Sequence, residues 1–267
     1  MSANERIVVV GFGNMGQALV RGWLAKGRGA SGIRVVDPAA SARAAARELE
    51  IAVADTVGTA DVVVLAVKPN QLADVLPHCR AAVRPACVFL SIAAGKTLAE
   101  IGRGLGQDAA IVRAMPNTPA AIGRGITVLV ANAAVSRAQR ALCGDLLAAV
   151  GSVAWLDDER HMDAVTAISG SGPAYVFLFI ECLEQAAIEL GLDAALAKHL
   201  ALATVAGSGA YAESAREPPA ELRRRVTSPN GTTQAALDVL MAEPGQRELL
   251  ARATRAAAER SRELAKV

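Results

Sequence analysis

The sequence predicts an α/β protein in two parts, a mostly parallel sheet over the first 157 residues and an all-helical domain over 158–267. Three observations carry this. From Ile7 to Leu156, runs rich in β-branched residues alternate with amphipathic stretches, the pattern of buried parallel strands joined by crossover helices. A Gly11-x-Gly13-x-x-Gly16 turn separates the first such run from the first amphipathic stretch. Past Gly170-Ser171-Gly172-Pro173 the β-branched runs stop and long alanine-rich stretches take over. A chain of 267 residues also exceeds the usual size of one domain.

Taken in order, Ile7-Val8-Val9-Val10 reads as a buried strand, Gly11-Phe12-Gly13-Asn14-Met15-Gly16 as a turn, and Leu19, Val20, Trp23 and Leu24 as the apolar face of a helix. A second strand, Ile33 to Val36, ends in Asp37 about 20 residues on. Strand, glycine turn, helix and acidic strand end together make a Rossmann-type dinucleotide site. In it Gly11 permits the tight turn, Gly13 lets backbone N–H groups approach a pyrophosphate, and Gly16 lets the helix pack close, with Phe12, Asn14 and Met15 completing the loop. Asp37 is expected to accept from the ribose hydroxyls and to repel a 2′-phosphate, which favours NADH. Ser41 and Arg43 follow closely, and an arginine there can hold the 2′-phosphate of NADPH. Asp37-Pro38 as a simple turn is the plain alternative. The cofactor is therefore NADPH or NADH.

The alternation continues. Asp61 to Val67 is a strand ending in Lys68-Pro69-Asn70, Cys87 to Ile92 one ending in Ala93-Ala94-Gly95, and Ile111 to Ala114 one ending in Met115-Pro116-Asn117-Thr118-Pro119. Ligands of such sheets lie across the carboxyl ends of the strands, so Val67, Lys68, Pro69, Asn70, Ala94 and Asn117 are expected along the cofactor groove. Lys68 fits a positional role beside a phosphate or ribose better than that of a base. Asn117 either orients the nicotinamide amide or forms an Asx turn. Ile126 to Val130, a helix through Ala141 to Val150, and Val153 to Leu156 complete a sheet of about eight strands.

Thr166 to Tyr175 reads as a hinge. Its glycines allow a close backbone approach, and Pro173 suits the first turn of a helix running to Leu190 whose free N–H groups face back and hold an anion. A small carboxylate substrate is expected there, against Ser171, Gly172 and Pro173. Glu159, a carboxylate upstream, is a candidate for the substrate amine, and His161 reads as packed or capped. A helix from Ala194 to about Ala215 carries Gly207-Ser208-Gly209, expected at a close helix contact. Ser228-Pro229-Asn230-Gly231-Thr232-Thr233 precedes another helix N-terminus and offers N–H and O–H donors. Gln246 to Ala265 is a charged amphipathic helix. Helices this rich in alanine predict a homo-oligomer.

Other classes are disfavoured. A net charge of +2 with scattered arginines argues against nucleic acid, and Arg223-Arg224-Arg225 reads as a solvated helix face. Cys79, Cys87, Cys143 and Cys182 lack metal-ligand spacing and read as reduced core thiols. Glu181, Glu184 and Glu189 argue against a membrane span in the longest apolar helix. The chain from Met1 runs straight into a strand, which predicts no leader and a cytoplasmic location.

In Val10-Gly11-Phe12-Gly13-Asn14-Met15-Gly16, Ala66-Val67-Lys68-Pro69, Ser91-Ile92-Ala93-Ala94-Gly95, Arg113 to Ala120, the hinge and Ser228 to Thr233, the chain resembles the pyrroline-5-carboxylate reductase family over nearly its whole length. The resemblance implies NAD(P)H-dependent reduction of a cyclic imine carboxylate to proline, a helical dimerisation domain, dimers often gathered into rings, and a Ser228 to Thr233 loop reaching the partner's cofactor. A protonated imine is already electrophilic, so hydride transfer needs positioning more than a strong acid. Backbone N–H groups around Gly231 to Thr233 and the Ser228 hydroxyl are expected to hold the carboxylate, and Thr233 Oγ to meet the ring nitrogen. The family's loop usually has two glycines after the proline, whereas this chain has Asn230-Gly231. A β-hydroxyacid dehydrogenase shares the general layout. That group resembles itself in a lysine just after the hinge, and this chain has none from Ala174 through Ala197. A cofactor-binding sensor without turnover is the rival outside enzymes, and the Ser228 to Thr233 loop speaks against it.

Overall fold

The computed structural model describes residues 5–264. The expected start without a leader and the last residue of the expected C-terminal helix fall on Met1–Asn4 and Ala265, outside the described residues. Strands β1 (Ile7–Val10), β2 (Ile33–Val36), β3 (Ala52–Ala54), β4 (Val62–Leu65), β5 (Val88–Ser91), β6 (Ala110–Met115), β7 (Gly125–Ala131) and β8 (Gly151–Trp155) form one sheet in the order β3-β2-β1-β4-β5-β6-β7-β8. All neighbours are parallel except β6 and β7. The strand left unread in the sequence is β3, an edge strand of only Ala-Val-Ala, too short to show a periodicity.

Helices α1 (Asn14–Ala25), α2 (Ala40–Glu48), α3 (Leu72–Cys79), α4 (Leu98–Leu105) and α5 (Arg137–Ala148) cover the sheet. Alternation along β1 shows why its run is apolar throughout. Ile7 and Val9 pack with Leu19, Trp23 and Leu147 on one face, and Val8 and Val10 with Leu72, Leu76 and Ile101 on the other. Each such side chain contributes about 1.5–3 kcal/mol by leaving water. Trp23 fixes α1 to α5 by donating from Nε1 to the Leu146 carbonyl at 2.7 Å.

Beyond β8 follow α6 (Met162–Val165), α7 (Gly172–Glu189), α8 (Ala194–Ser214), α9 (Pro219–Arg225), α10 (Thr232–Leu240) and α11 (Gln246–Leu264). Two compact units result, one running through Ser171 and taking in the chain from Ala257, the other Gly172–Ala256. The sequence places its division earlier, after Asp157. Residues 158–171 stay with the sheet because Met162 and Ala167 are buried, and because Asp163 accepts a 2.6 Å hydrogen bond from Ser261 Oγ.

Several expectations about the helices are corrected. In the unit Gly172–Ala256 only Ala197, Ala201 and Leu222 are buried, and Phe177, Leu178, Phe179, Leu196, Leu200 and Val239 are exposed. A Cβ added at Gly207 or Gly209 meets nothing within 4 Å, so no close helix contact within this chain explains these glycines. Cys182 on α7 is exposed rather than a core thiol. The other three are buried, and burial pushes the Cys79 and Cys87 thiols up to about 11 and Cys143 to about 12, which keeps them protonated and inert. The helical stretch Glu159–Glu189 is, by length and composition, apolar enough to cross a membrane, although only 6% of its apolar window is buried. Its glutamates therefore do not by themselves exclude a span.

Candidate active site

The glycine turn shows three separate roles. Gly11 has φ +89°, and a Cβ there would stand 2.8 Å from the Ala66 carbonyl group, so the turn at the end of β1 admits only glycine. At Gly16 a Cβ would stand 2.8 Å from the Gly11 carbonyl oxygen, which sets how closely α1 approaches the turn. Gly13 differs: nothing lies within 4 Å of its Cβ position. It precedes α1 without any side-chain cap, and the first N–H groups of that helix, beginning at Asn14, open onto this space. Residues bare of side chain, with uncapped N–H donors and a positive dipole end, fit the pyrophosphate of a dinucleotide. Asn14 is exposed and Met15 half-buried. The Phe12 side chain is fully buried, so its part is structural.

Asp37 ties two turns together. Its Oδ2 accepts from the Phe12 N–H at 2.7 Å and its Oδ1 from the Ala39 N–H at 2.8 Å, the latter an Asx turn into α2. The carboxylate is thus oriented by backbone, with lone pairs remaining for a ribose hydroxyl. Arg43, in α2, pairs with Asp55 just past β3 at 2.8 Å.

Strand register brings the other predicted positions to this edge. Val10 pairs with Val36 and Leu65, Leu65 with Ser91, and Ser91 with Arg113, so the segments after β1, β2, β4, β5 and β6 leave the sheet on the same side. Val67 and Ala94 are half-buried, while Lys68, Pro69 and Asn70 are exposed, the last two in a single 3-10 turn. Asn117 does not form the expected Asx turn. Its Oδ1 accepts from the Ile126 N–H on β7 at 3.0 Å, joining two strand ends nine residues apart in sequence, which no local turn rule reveals.

The hinge is not a loop ending at a free helix end. Thr166–Gly170 coils as a π turn closed by the Ser171 N–H on the Thr166 carbonyl at 2.8 Å, and helix resumes at Gly172 after a bend at Ser171. Thr166 and Ser169 hydroxyls donate back to the Met162 and Val165 carbonyls, and Pro173 supplies no N–H for the Ser169 carbonyl, which together widen the coil. Because helix precedes it directly, the start of α7 presents no free dipole end of the kind expected. One close approach is real, since a Cβ at Gly170 would collide with Met115 Cε, but at Gly172 the space is open.

Glu159 is already engaged. Its Oε1 accepts from Arg113 Nη1 at 2.7 Å and from the Leu98 N–H at the start of α4 at 2.9 Å. It therefore joins β6, α4 and the approach to the hinge. Arg113, 5% exposed, is the buried partner that sequence reasoning missed, and its place inside an apolar strand was the available signal. His161 is exposed rather than packed.

The Ser228 loop has the geometry its sequence implies. The Gly231 N–H donates to the Ser228 carbonyl at 3.1 Å across Pro229 and Asn230, and Asn230 has φ 60°, as the third residue of a type II turn requires. A Cβ at Gly231 would collide with Ser228 Oγ, so the serine hydroxyl lies over the glycine. Helix α10 starts at Thr232 with no side-chain cap, leaving the N–H groups of Thr232 and Thr233 without a partner from that source. Thr233 is half-buried, and Thr232, Ser228 and Asn230 are exposed.

A glycine turn of this form beneath strands ordered 3-2-1-4-5-6, joined to an all-helical unit, defines a dinucleotide-binding α/β oxidoreductase. The chain is 47% identical over 268 residues, 98% of each chain, to a pyrroline-5-carboxylate reductase of Pseudomonas aeruginosa, and 39% identical to that of Haemophilus influenzae over 90% of each. It belongs to the pyrroline-5-carboxylate reductase family. Residues 159–264 match the family of pyrroline-5-carboxylate reductase dimerisation domains, and residues 6–95 that of NADP oxidoreductases, coenzyme F420-dependent. Among solved structures, a pyrroline-5-carboxylate reductase from Coxiella burnetii matches with a TM-score of 0.93 at 36% identity, covering 99% of this chain and all of that one. A pyrroline carboxylate reductase of Plasmodium falciparum with NADP bound matches at 0.86 and 28% identity, covering 99% of this chain and 100% of its own.

Proposed function

We propose that this chain reduces the C=N bond of 1-pyrroline-5-carboxylate with NADH or NADPH, giving L-proline in the last step of proline biosynthesis. The reading is carried by a chain 47% identical to a reductase of that name that has both an open glycine turn and, in its helical unit, an uncapped Ser228–Thr233 turn. The bound dinucleotide supplies a hydride to the imine carbon. Gly11 to Gly16 receive its pyrophosphate, Asp37 the adenosine ribose, and Val67 to Asn70, Ala94 and Asn117 border its groove. Asn117 retains its amide nitrogen for the nicotinamide once its oxygen is spent on Ile126.

The substrate carboxylate is held by the Thr232 and Thr233 N–H groups and the Ser228 hydroxyl, with Asn230 and Gly231 shaping the turn. Thr233 Oγ hydrogen-bonds the ring nitrogen and orients the protonated imine. Ser171, Gly172 and Pro173 form the wall behind the ring, and Glu159, oriented by Arg113 and the Leu98 N–H, is the candidate for contact with the substrate amine. Dinucleotide binding belongs to residues 1–157, and substrate binding and dimerisation to 158–267. The apolar residues exposed on α7 and α8 are covered by a second copy, with larger rings built from such dimers, and the enzyme works in the cytoplasm. The test is nicotinamide oxidation with pyrroline-5-carboxylate, run in parallel with NADH and NADPH. Rapid turnover is expected, and cofactor binding without turnover would leave the sensor reading in its place.

A further inference from the structure

We propose that Asp55 governs the choice between NADH and NADPH by holding Arg43 away from the ribose 2′ position. The inference rests on the dinucleotide reading above. Register places Val36 opposite Ala54, so Asp37 and Asp55 are the next residues on neighbouring parallel strands, leaving the sheet at the same edge. Asp37 is fixed there by the Phe12 and Ala39 N–H groups. Arg43 lies six residues past Asp37, one turn into α2, and is the residue type that takes a 2′-phosphate in this position. Its guanidinium is instead engaged by Asp55 at 2.8 Å.

An incoming 2′-phosphate thus meets two carboxylates and must draw Arg43 from one of them. A 2′-hydroxyl requires no such exchange. Asp55 is 85% exposed and its side chain has no other partner among the described residues, so it contributes little to folding and its replacement frees Arg43 without disturbing the turn. Sequence alone shows Asp37 and Arg43 as opposed signals. The short strand β3, unread in the sequence, brings in the residue that decides between them.

The test is fluorescence titration of NADH and NADPH, without imine, into the wild type, Asp55→Asn, Arg43→Gln and the double variant. Asp55→Asn is expected to tighten NADPH about fivefold, with NADH changed by less than about twofold, since a freed guanidinium meets a phosphate as a charge-assisted pair. The gain should vanish in the double variant and shrink with added salt. An unchanged NADPH affinity in Asp55→Asn, an equal gain for both nucleotides, or a gain that survives Arg43→Gln would overturn the proposal. Wild type that binds neither nucleotide would overturn the dinucleotide reading and this inference with it.

Discussion

Thr233, at the second position of α10, stands where a hydroxyl can meet a ligand held by the helix's first N–H groups. Thr233→Val keeps the shape and removes the hydroxyl. It should lower kcat/KM about 100-fold with Tm unchanged, and an unaltered kcat/KM would remove Thr233 from the mechanism. The glycines separate in the same way. Gly13→Ala meets no atom and should leave Tm unchanged while weakening NADH binding at least about tenfold, because the methyl takes the place of the pyrophosphate. Gly11→Ala, driven against the Ala66 carbonyl at φ +89°, should lower stability by about 2 kcal/mol in thermal unfolding even without cofactor. The turn itself was legible in the sequence, although the Ala66 backbone that bars a Cβ at Gly11 reaches it from the end of β4. The partners of Glu159 and Asn117 were not, since Arg113 and Ile126 reach them only through the sheet.

At the scale of the element, the Ser228–Gly231 turn and the π turn contrast. Proline at the second place and asparagine at the third specify a type II turn locally, and the structure has it. Asn230→Gly keeps φ near 60° available, so stability should shift by less than about 1 kcal/mol. The vacated space should appear as a lower KM for the imine, measured in initial rates, and an unchanged KM would separate Asn230 from the substrate. The hinge misled because glycine, serine and proline read as loop. What they permit here is a widened helix, closed by hydroxyl back-bonding and the Ser171 N–H, with Gly170 against Met115 on a distant strand.

For the whole molecule, the exposed Phe177, Leu178 and Phe179 on α7 are the kind of apolar cluster that marks an interaction surface. Phe177→Glu should yield a smaller species in sedimentation, and Cys182, on the same helix, should then react with a thiol reagent faster than in the wild type. Equal mass and equal Cys182 reactivity in both proteins would place the dimer surface elsewhere. Within this chain α7 and α8 leave most of their apolar residues uncovered, and a sequence does not say whether such a face is covered by its own chain or by a copy.

The sequence by itself determined the alternation of strand and helix, the glycine turn, and the Ser228–Thr233 loop before α10, because all are written in residues close along the chain. Only the tertiary structure decided the use made of side chains whose partners lie far apart in sequence. It gave Asn117 to Ile126, Glu159 to Arg113 and Leu98, and Arg43 to Asp55. A parallel sheet brings distant strand ends together at one edge, and hydrogen-bonding capacity spent there is set by register, which no local pattern encodes.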